Sequence, residues 1–306
     1  MVPSPLNRNR FSGLFCMEGM MKRLILGILL CFSVCTGAFA ESSVWKAQKR
    51  GSTIYLGGTC HILRESDYPL PTEFEKAYNA SDLLVFETDI AGLLEPAVQQ
   101  KLLAKALYTD GSTLDKHLSS PVYGELSAFC QADGIPLQAL SRFKPSMVMV
   151  TLTVLELKKK GATEQGVDQY FYGQAVKDKK PVEGLEIVDE QIEFLTTMAD
   201  GNEDDFVRHS LSDMKTMEGQ LGSLADAWRT GDVKKLDELM VADIKSRQPK
   251  LYKKLITDRN LNWLPLIDAY GKTPKTEFIL VGVGHLVGPD GIIEALKKKG
   301  YKVEKL

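Results

Sequence analysis

Four short apolar runs set the limits on this fold, because each is too brief for a typical helix and each stops on a chemically interesting residue. Residues 52–56 lead into Gly57-Gly58-Thr59-Cys60-His61, and residues 82–86 end at Glu87. Residues 180–185 end at Glu186, and residues 278–283 end at Gly284-His285. Short apolar runs bounded by glycine and polar residues suit buried strands. A fifth segment, 301–306, alternates in polarity and predicts an edge strand at the end of the sheet.

Helical patterns fill the intervals, at 72–80, 93–107, 122–132, 145–160, 167–177, 189–198, 204–229, 233–242, 251–256, 259–270 and 289–299. The pattern at 145–160 opens on Pro145 and closes on Lys158-Lys159-Lys160 before Gly161, which are strong terminus signals. The order predicts an α/β fold: a central, mostly parallel or mixed sheet, flanking helices and two helical insertions. Both insertions are amphipathic and must bury apolar faces against the sheet or over one another. A single domain over 41–306 is the simplest account, and two separate domains is the other.

The first 40 residues read as an N-terminal extension and a cleavable export signal. Met20-Met21-Lys22-Arg23 is a short basic region, 24–34 is an apolar run, and Ala38-Phe39-Ala40 offers small residues to a signal peptidase. The run is shorter than the roughly 20 apolar residues of a spanning helix. The expectation is a periplasmic or secreted protein with no stable membrane span after cleavage. Cys16, Cys31 and Cys35 fall in the removed part, leaving Cys60 and Cys130 as either one bridge or two free thiols. The first 40 residues hold four of the 38 basic and one of the 40 acidic residues, so the remainder carries a formal charge of −5. That balance argues against a nucleic-acid surface.

Two of the four histidines stand in matching contexts. Gly58-Thr59-Cys60-His61 and Gly282-Val283-Gly284-His285 are both Gly-x-x-His at a strand end. In open α/β sheets, ligands bind beyond the carboxyl ends of the strands. Glu87 and Glu186 lie at equivalent places, where a carboxylate needs a metal, a cation or donors. Imidazole with carboxylate suits a divalent transition metal; paired with loop backbone and arginine, the same residues are structural. Arg259, at the head of an apolar helix, clamps a carboxylate, stabilises an oxyanion, or bridges to Glu87 or Glu186. Asp168, in a first turn, complements the helix dipole. His117 and His209 sit in polar helical sequence and are expected at the surface.

Several segments in order resemble the TraB/PrgY/GumN family. They are Tyr55-Leu56-Gly57-Gly58-Thr59-Cys60-His61-Ile62-Leu63 with Tyr68-Pro69-Leu70-Pro71, Leu84-Val85-Phe86-Glu87, Gly166-Val167-Asp168, Gly184-Leu185-Glu186 with Gln191, Arg259-Asn260 with Trp263, and Val283-Gly284-His285-Leu286-Val287-Gly288. The likeness runs from about residue 44 to 306. Cys60 departs from it, since relatives more often carry an aliphatic residue there.

The resemblance implies a superfamily that includes Tiki-type metalloproteases and, more distantly, erythromycin esterases and haem-binding ChaN-like proteins. Carried onto this chain, it implies a metal held by His61, His285 and Glu87, with Mn, Co or Zn as candidates. Glu87 or Glu186 would then be the general base on a metal-bound water, with Arg259 at the oxyanion. A metal-free version uses His61 as the base, as in the esterase branch. The implied substrate is a peptide or small molecule. The alternatives are a non-catalytic binder of haem, a peptide pheromone or a metal, and an accessory factor in envelope or polysaccharide assembly.

Overall fold

A computed structural model describes residues 42–306 apart from Ile62 and Glu164. The export-signal reading and Cys16, Cys31 and Cys35 lie outside the described residues. Six strands form the main sheet: β1 (Val44–Lys49), β2 (Ser52–Thr59), β4 (Leu83–Thr88), β6 (Val182–Glu186), β7 (Glu277–Gly282) and β8 (Lys302–Lys305). A separate two-residue ladder pairs β3 (Leu63–Arg64) with β5 (Ala162–Thr163).

The sheet order is β6-β4-β7-β2-β1-β8. The four strands expected from their apolar runs are the parallel ones: β6 on β4, β4 on β7 and β7 on β2. Phe278, Ile279, Leu280 and Val281 of β7 are fully buried, as a strand covered on both faces requires. Each such side chain contributes about 1.5–3 kcal/mol on burial. The parallel alignment brings the C-terminal ends of all four strands to one edge.

β8 is the expected edge strand. β1 was not expected. Its sequence, VWKAQK, mixes polar and apolar residues, and it enters the sheet through a two-residue hairpin to β2. Arg50 and Gly51 turn that hairpin with φ of 51° and 90°, as a type I′ turn demands. Two further boundaries differ. The pattern at 93–107 is two helices, Ile90–Leu93 and Pro96–Ala106, because Pro96 starts a new first turn. The last parallel strand stops at Gly282, and Val283–Leu286 coils into one helical turn that turns His285 inward.

Two hydrophobic clusters hold the fold. One surrounds the sheet and includes α1 (Thr72–Asn79), through Phe74, and α2 (Val167–Asp178), through Phe171. The other joins the two insertions, with Leu126, Val148 and Leu152 from the first against Phe206, Val207 and Leu211 from the long helix α3 (Glu203–Thr230) of the second. The insertions therefore bury their apolar faces over one another as well as on the sheet. Cys60 touches the first cluster and Cys130 belongs to the second; both are free thiols. His117 is exposed as expected. His209 departs from expectation: it is half-buried, and its Nδ1 is buried without a hydrogen-bond partner. Among the described residues no helix is long and apolar enough to cross a membrane.

Candidate functional site

The C-terminal ends of β2, β4, β6 and β7 carry His61, Glu87, Glu186 and the His285 turn, and the structure gathers Glu87, Glu186 and His285 around one guanidinium, with His61 beside Glu87 over Gly282. Arg259 comes from α4 (Asp258–Tyr270), directly after a π-helical stretch at Lys253–Thr257. Such stretches are frequent at functional sites. Arg259 is 8% exposed. Its Nη2 donates to Glu87 Oε2 at 2.6 Å, to Glu186 Oε1 at 2.8 Å and to Gln191 Oε1 at 3.0 Å. Its Nε donates to Glu186 Oε2 at 3.1 Å, completing a two-point fork. The indole of Trp263 lies under the guanidinium, 4.5 Å from ring centre to Cζ, and its Nε1 donates to Glu186 Oε2 at 3.2 Å.

The fourth direction of the guanidinium is His285. Arg259 Nη1 lies 3.1 Å from His285 Nε2. Arginine only donates, so Nε2 accepts and His285 is neutral with its proton on Nδ1. Nδ1 lies 2.8 Å from Asn260 Oδ1. The Asn260 amide is oriented by Nδ2, which donates to the carbonyls of His285 and Asp290 at 3.1 and 2.9 Å. Burial pushes the His285 imidazole down to about 3, against the pull of Glu87, in agreement with that tautomer. His285 is thus a fixed neutral relay between Arg259 and Asn260.

The two glutamates divide the guanidinium unequally. Burial alone would raise Glu87, but Arg259, together with His285, His61 and the Gly282 N–H, outweighs it and holds the carboxyl well below the usual range. Glu87 Oε1 also accepts the Gly282 N–H at 2.8 Å. Burial pushes the Glu186 carboxyl up, only partly offset by Arg259.

His61 stands apart. Its Nδ1 lies 2.8 Å from Asp168 Oδ2, which fixes the proton on Nδ1 when the ring is neutral and leaves Nε2 without a hydrogen bond among the described residues. Asp168 raises the imidazole to about 9. The ring is 64% exposed, so water screens part of that pull. Asp168, whose place in a first helical turn predicts only an acid that complements the helix dipole, is therefore the orienting group for His61. α2 is docked for this purpose. Val167 N donates to Cys60 O at 3.0 Å, and a Cβ on Gly166 would sit 2.2 Å from the His61 carbonyl oxygen. Only glycine fits there. Burial, then Asp168, pushes the Cys60 thiol up to about 12, so it stays protonated and unreactive.

His61, Glu87 and His285 meet over Gly282. A Cβ built on that glycine would lie 3.2 Å from Glu87 Oε1, 3.7 Å from His285 Cδ2 and 3.8 Å from His61 Nε2. An open cleft of about 1140 Å³ adjoins Glu186, Arg259 and Trp263 and is also lined by Asp89, Ile187 and Phe194.

The donor set as arranged does not fit the metal that the resemblance implies. His285 Nε2 is engaged by Arg259, both Glu87 oxygens accept hydrogen bonds, and His61 alone offers an open nitrogen. Among the described residues no three His, Cys, Asp or Glu side chains are grouped to hold an ion.

The structure therefore brings His61, Glu87, Glu186, Arg259 and His285 together, and adds Asp168, Asn260, Gln191 and Trp263. All six segments that suggested the family, lying as far apart as 61 and 285 in sequence, thus meet in one polar cluster. No curated protein and no solved structure matches the chain. The model of the TraB/PrgY/gumN family matches residues 43–305, the same span that builds the sheet and this cluster, and the chain belongs to that family.

Proposed function

We propose that this chain is an exported hydrolase acting on a peptide or a related small acyl substrate, with His61 as its proton-transferring group. The observation that carries this reading is the contrast between the two strand-end histidines. His285 has both nitrogens engaged, whereas His61 is held through Nδ1 by Asp168 and presents an open Nε2 beside Glu87 and Gly282. A positioned imidazole backed by a carboxylate suits general acid–base catalysis.

In the reaction, neutral His61 takes a proton from water through Nε2 as the water oxygen bonds to the substrate carbonyl carbon. The imidazolium then gives that proton to the leaving amine or alcohol as the C–N or C–O bond breaks. Asp168 stabilises the imidazolium and keeps the ring aligned. Arg259 and Glu186, on the wall of the adjoining cleft, supply fixed charge to the bound acyl group. Export is supported by the signal-like composition of residues 20–40.

The same residues carry a second reading, a metal-assisted hydrolase with Mn, Co or Zn on His61, His285 and Glu87. Its support is the convergence of those three side chains over Gly282. It requires Arg259 to leave His285 Nε2.

One experiment tests the proposal: a peptidase and esterase screen of the purified protein beside His61→Ala and Glu87→Gln, with and without each metal. Hydrolysis without metal that is lost in His61→Ala supports the first reading. Hydrolysis only with metal, accompanied by a metal-induced rise in Tm that both variants abolish, supports the second. A retained ligand with no turnover under any condition makes the protein a binder.

A further inference from the structure

Thr59 is the last residue of β2 and is 2% exposed, yet its Oγ1 is buried with no hydrogen-bond partner. A sealed hydroxyl without a partner is uncommon in folded proteins and calls for an explanation, most simply a bound water. The corresponding threonine at the end of β4 shows the ordinary outcome: Thr88 Oγ1 donates to Glu186 O at 3.0 Å.

The register says where the Thr59 hydroxyl stands. β2 and β7 pair Thr59 with Gly282, and cross-strand partners project their side chains to the same face of the sheet. Thr59 therefore flanks the bare Cα of Gly282, the point on which Glu87 Oε1 and His61 Nε2 converge. One hydroxyl, one carboxylate oxygen and one imidazole nitrogen around a missing side chain supply the two to four polar partners that a buried water needs.

We propose that Thr59 is a catalytic residue that holds the hydrolytic water over Gly282. This inference rests on the hydrolase reading and adds a named member to its site. The Thr59 O–H donates to one lone pair of the water. The water donates its two hydrogens to His61 Nε2 and Glu87 Oε1, and its remaining lone pair faces the incoming carbonyl carbon. In the reaction that lone pair forms the C–O bond, His61 Nε2 takes one proton, and the proton leaves with the departing amine when the C–N bond breaks. Thr59 and Glu87 are unchanged at the end. The absence of a side chain on Gly282 is then a requirement of the reaction, since a methyl group would fill the water's place.

The test is a crystal structure at about 1.5 Å, where ordered waters are distinct, of the processed protein and of Thr59→Val, Thr59→Ser and Gly282→Ala. Valine keeps the volume and branching of threonine, so the fold has no steric reason to change. The expected result is one water bonded to Thr59 Oγ1 and His61 Nε2 in wild type and Thr59→Ser, absent in the other two. On a substrate found by the screen, kcat of Thr59→Val falls about ten-fold, the worth of one hydrogen bond, with KM within about two-fold, and Thr59→Ser restores it. A Thr59 hydroxyl bonded to a protein group, or a water left in place with unchanged kcat in Thr59→Val, overturns the proposal. A water that follows Thr59 in a protein that hydrolyses nothing retires the hydrolase reading and leaves the water site standing.

Discussion

Replacing Arg259 by methionine removes the one positive charge that two buried carboxylates share. Glu87 and Glu186 have side chains only 9% and 8% exposed, so water cannot take over. Breaking a buried pair by removing one partner costs about 3–5 kcal/mol. The chain has one escape, which is to protonate a stranded carboxylate. From an ordinary value of 4.5, neutralising one glutamate costs about 3.4 kcal/mol at pH 7 and about 0.8 kcal/mol at pH 5. Arg259→Met is therefore expected to lose about 3–5 kcal/mol at pH 7 and only about 1–2 kcal/mol at pH 5.

The sign in the native protein is the reverse. Glu87 is depressed, so its contribution is complete above 4.5 and lost as pH falls through its lower native value. Urea denaturation of both proteins at the two pH values, with equal m-values as the control, measures the difference. The triple variant Arg259→Met, Glu87→Gln, Glu186→Gln should regain part of the loss at pH 7. A loss under about 1 kcal/mol at pH 7, or one that does not shrink at pH 5, would refute the view that the guanidinium neutralises both carboxylates.

Further expectations follow from the same contacts. Hydrolysis should rise with pH between 6.5 and about 9 as His61 loses its proton; Asp168→Asn should move the rise toward 6.5, and a pH–rate profile that ignores this variant would remove His61 from the mechanism. The folding contribution of the His61–Asp168 pair should be complete below 6.5 and disappear as pH rises through about 9, visible as a narrowing gap in Tm between wild type and Asp168→Asn. Gly166→Ala forces a methyl group onto the His61 carbonyl and should cost about 1–3 kcal/mol, with a displaced His61 ring signal in NMR. Native protein should resist thiol alkylation at pH 8, because Cys60 is raised to about 12 and Cys130 is buried; unfolded, unreduced protein should label at both, and a disulfide-linked peptide would contradict the fold.

The sequence was most readable where one physical cause dominates. Parallel strands buried on both faces need continuous apolar runs, so the runs at 82–86 and 278–283 declare β4 and β7. Those at 52–56 and 180–185 were legible from their bounding glycines and polar residues, β6 being a largely exposed edge strand. The residues that end all four mark the site. β1 was hidden because its hairpin position rests on Arg50 and Gly51 adopting positive φ, while VWKAQK has neither a long apolar run nor strict alternation. Asp168 looked like a helix-capping acid because its partner, His61, lies 107 residues away. Arg259 was recognised as a clamp or bridge, but sequence could not say that it would serve both glutamates and His285 at once. The neutral state of His285 follows only from that crowding. Half-buried His209 escaped because a polar helix facing another helix has the same composition as one facing water.

The position of β7 bears on how such a chain comes into being. β7 lies between β2 and β4, yet it enters only at Glu277, long after its two neighbours have been synthesised. Until β7 is made, neither β2 nor β4 has its shared neighbour, so pairing of either would leave an open edge, the kind of surface that invites wrong pairing. Insertion of β7 closes both edges and delivers Gly282 and His285 in the same event. Assembly of the sheet and birth of the site are one long-range step, slow by topology. For a chain threaded through a membrane before folding, as proposed, that delay keeps the precursor pliable and the site incomplete until β7 arrives, with only β8 of the strands still to follow.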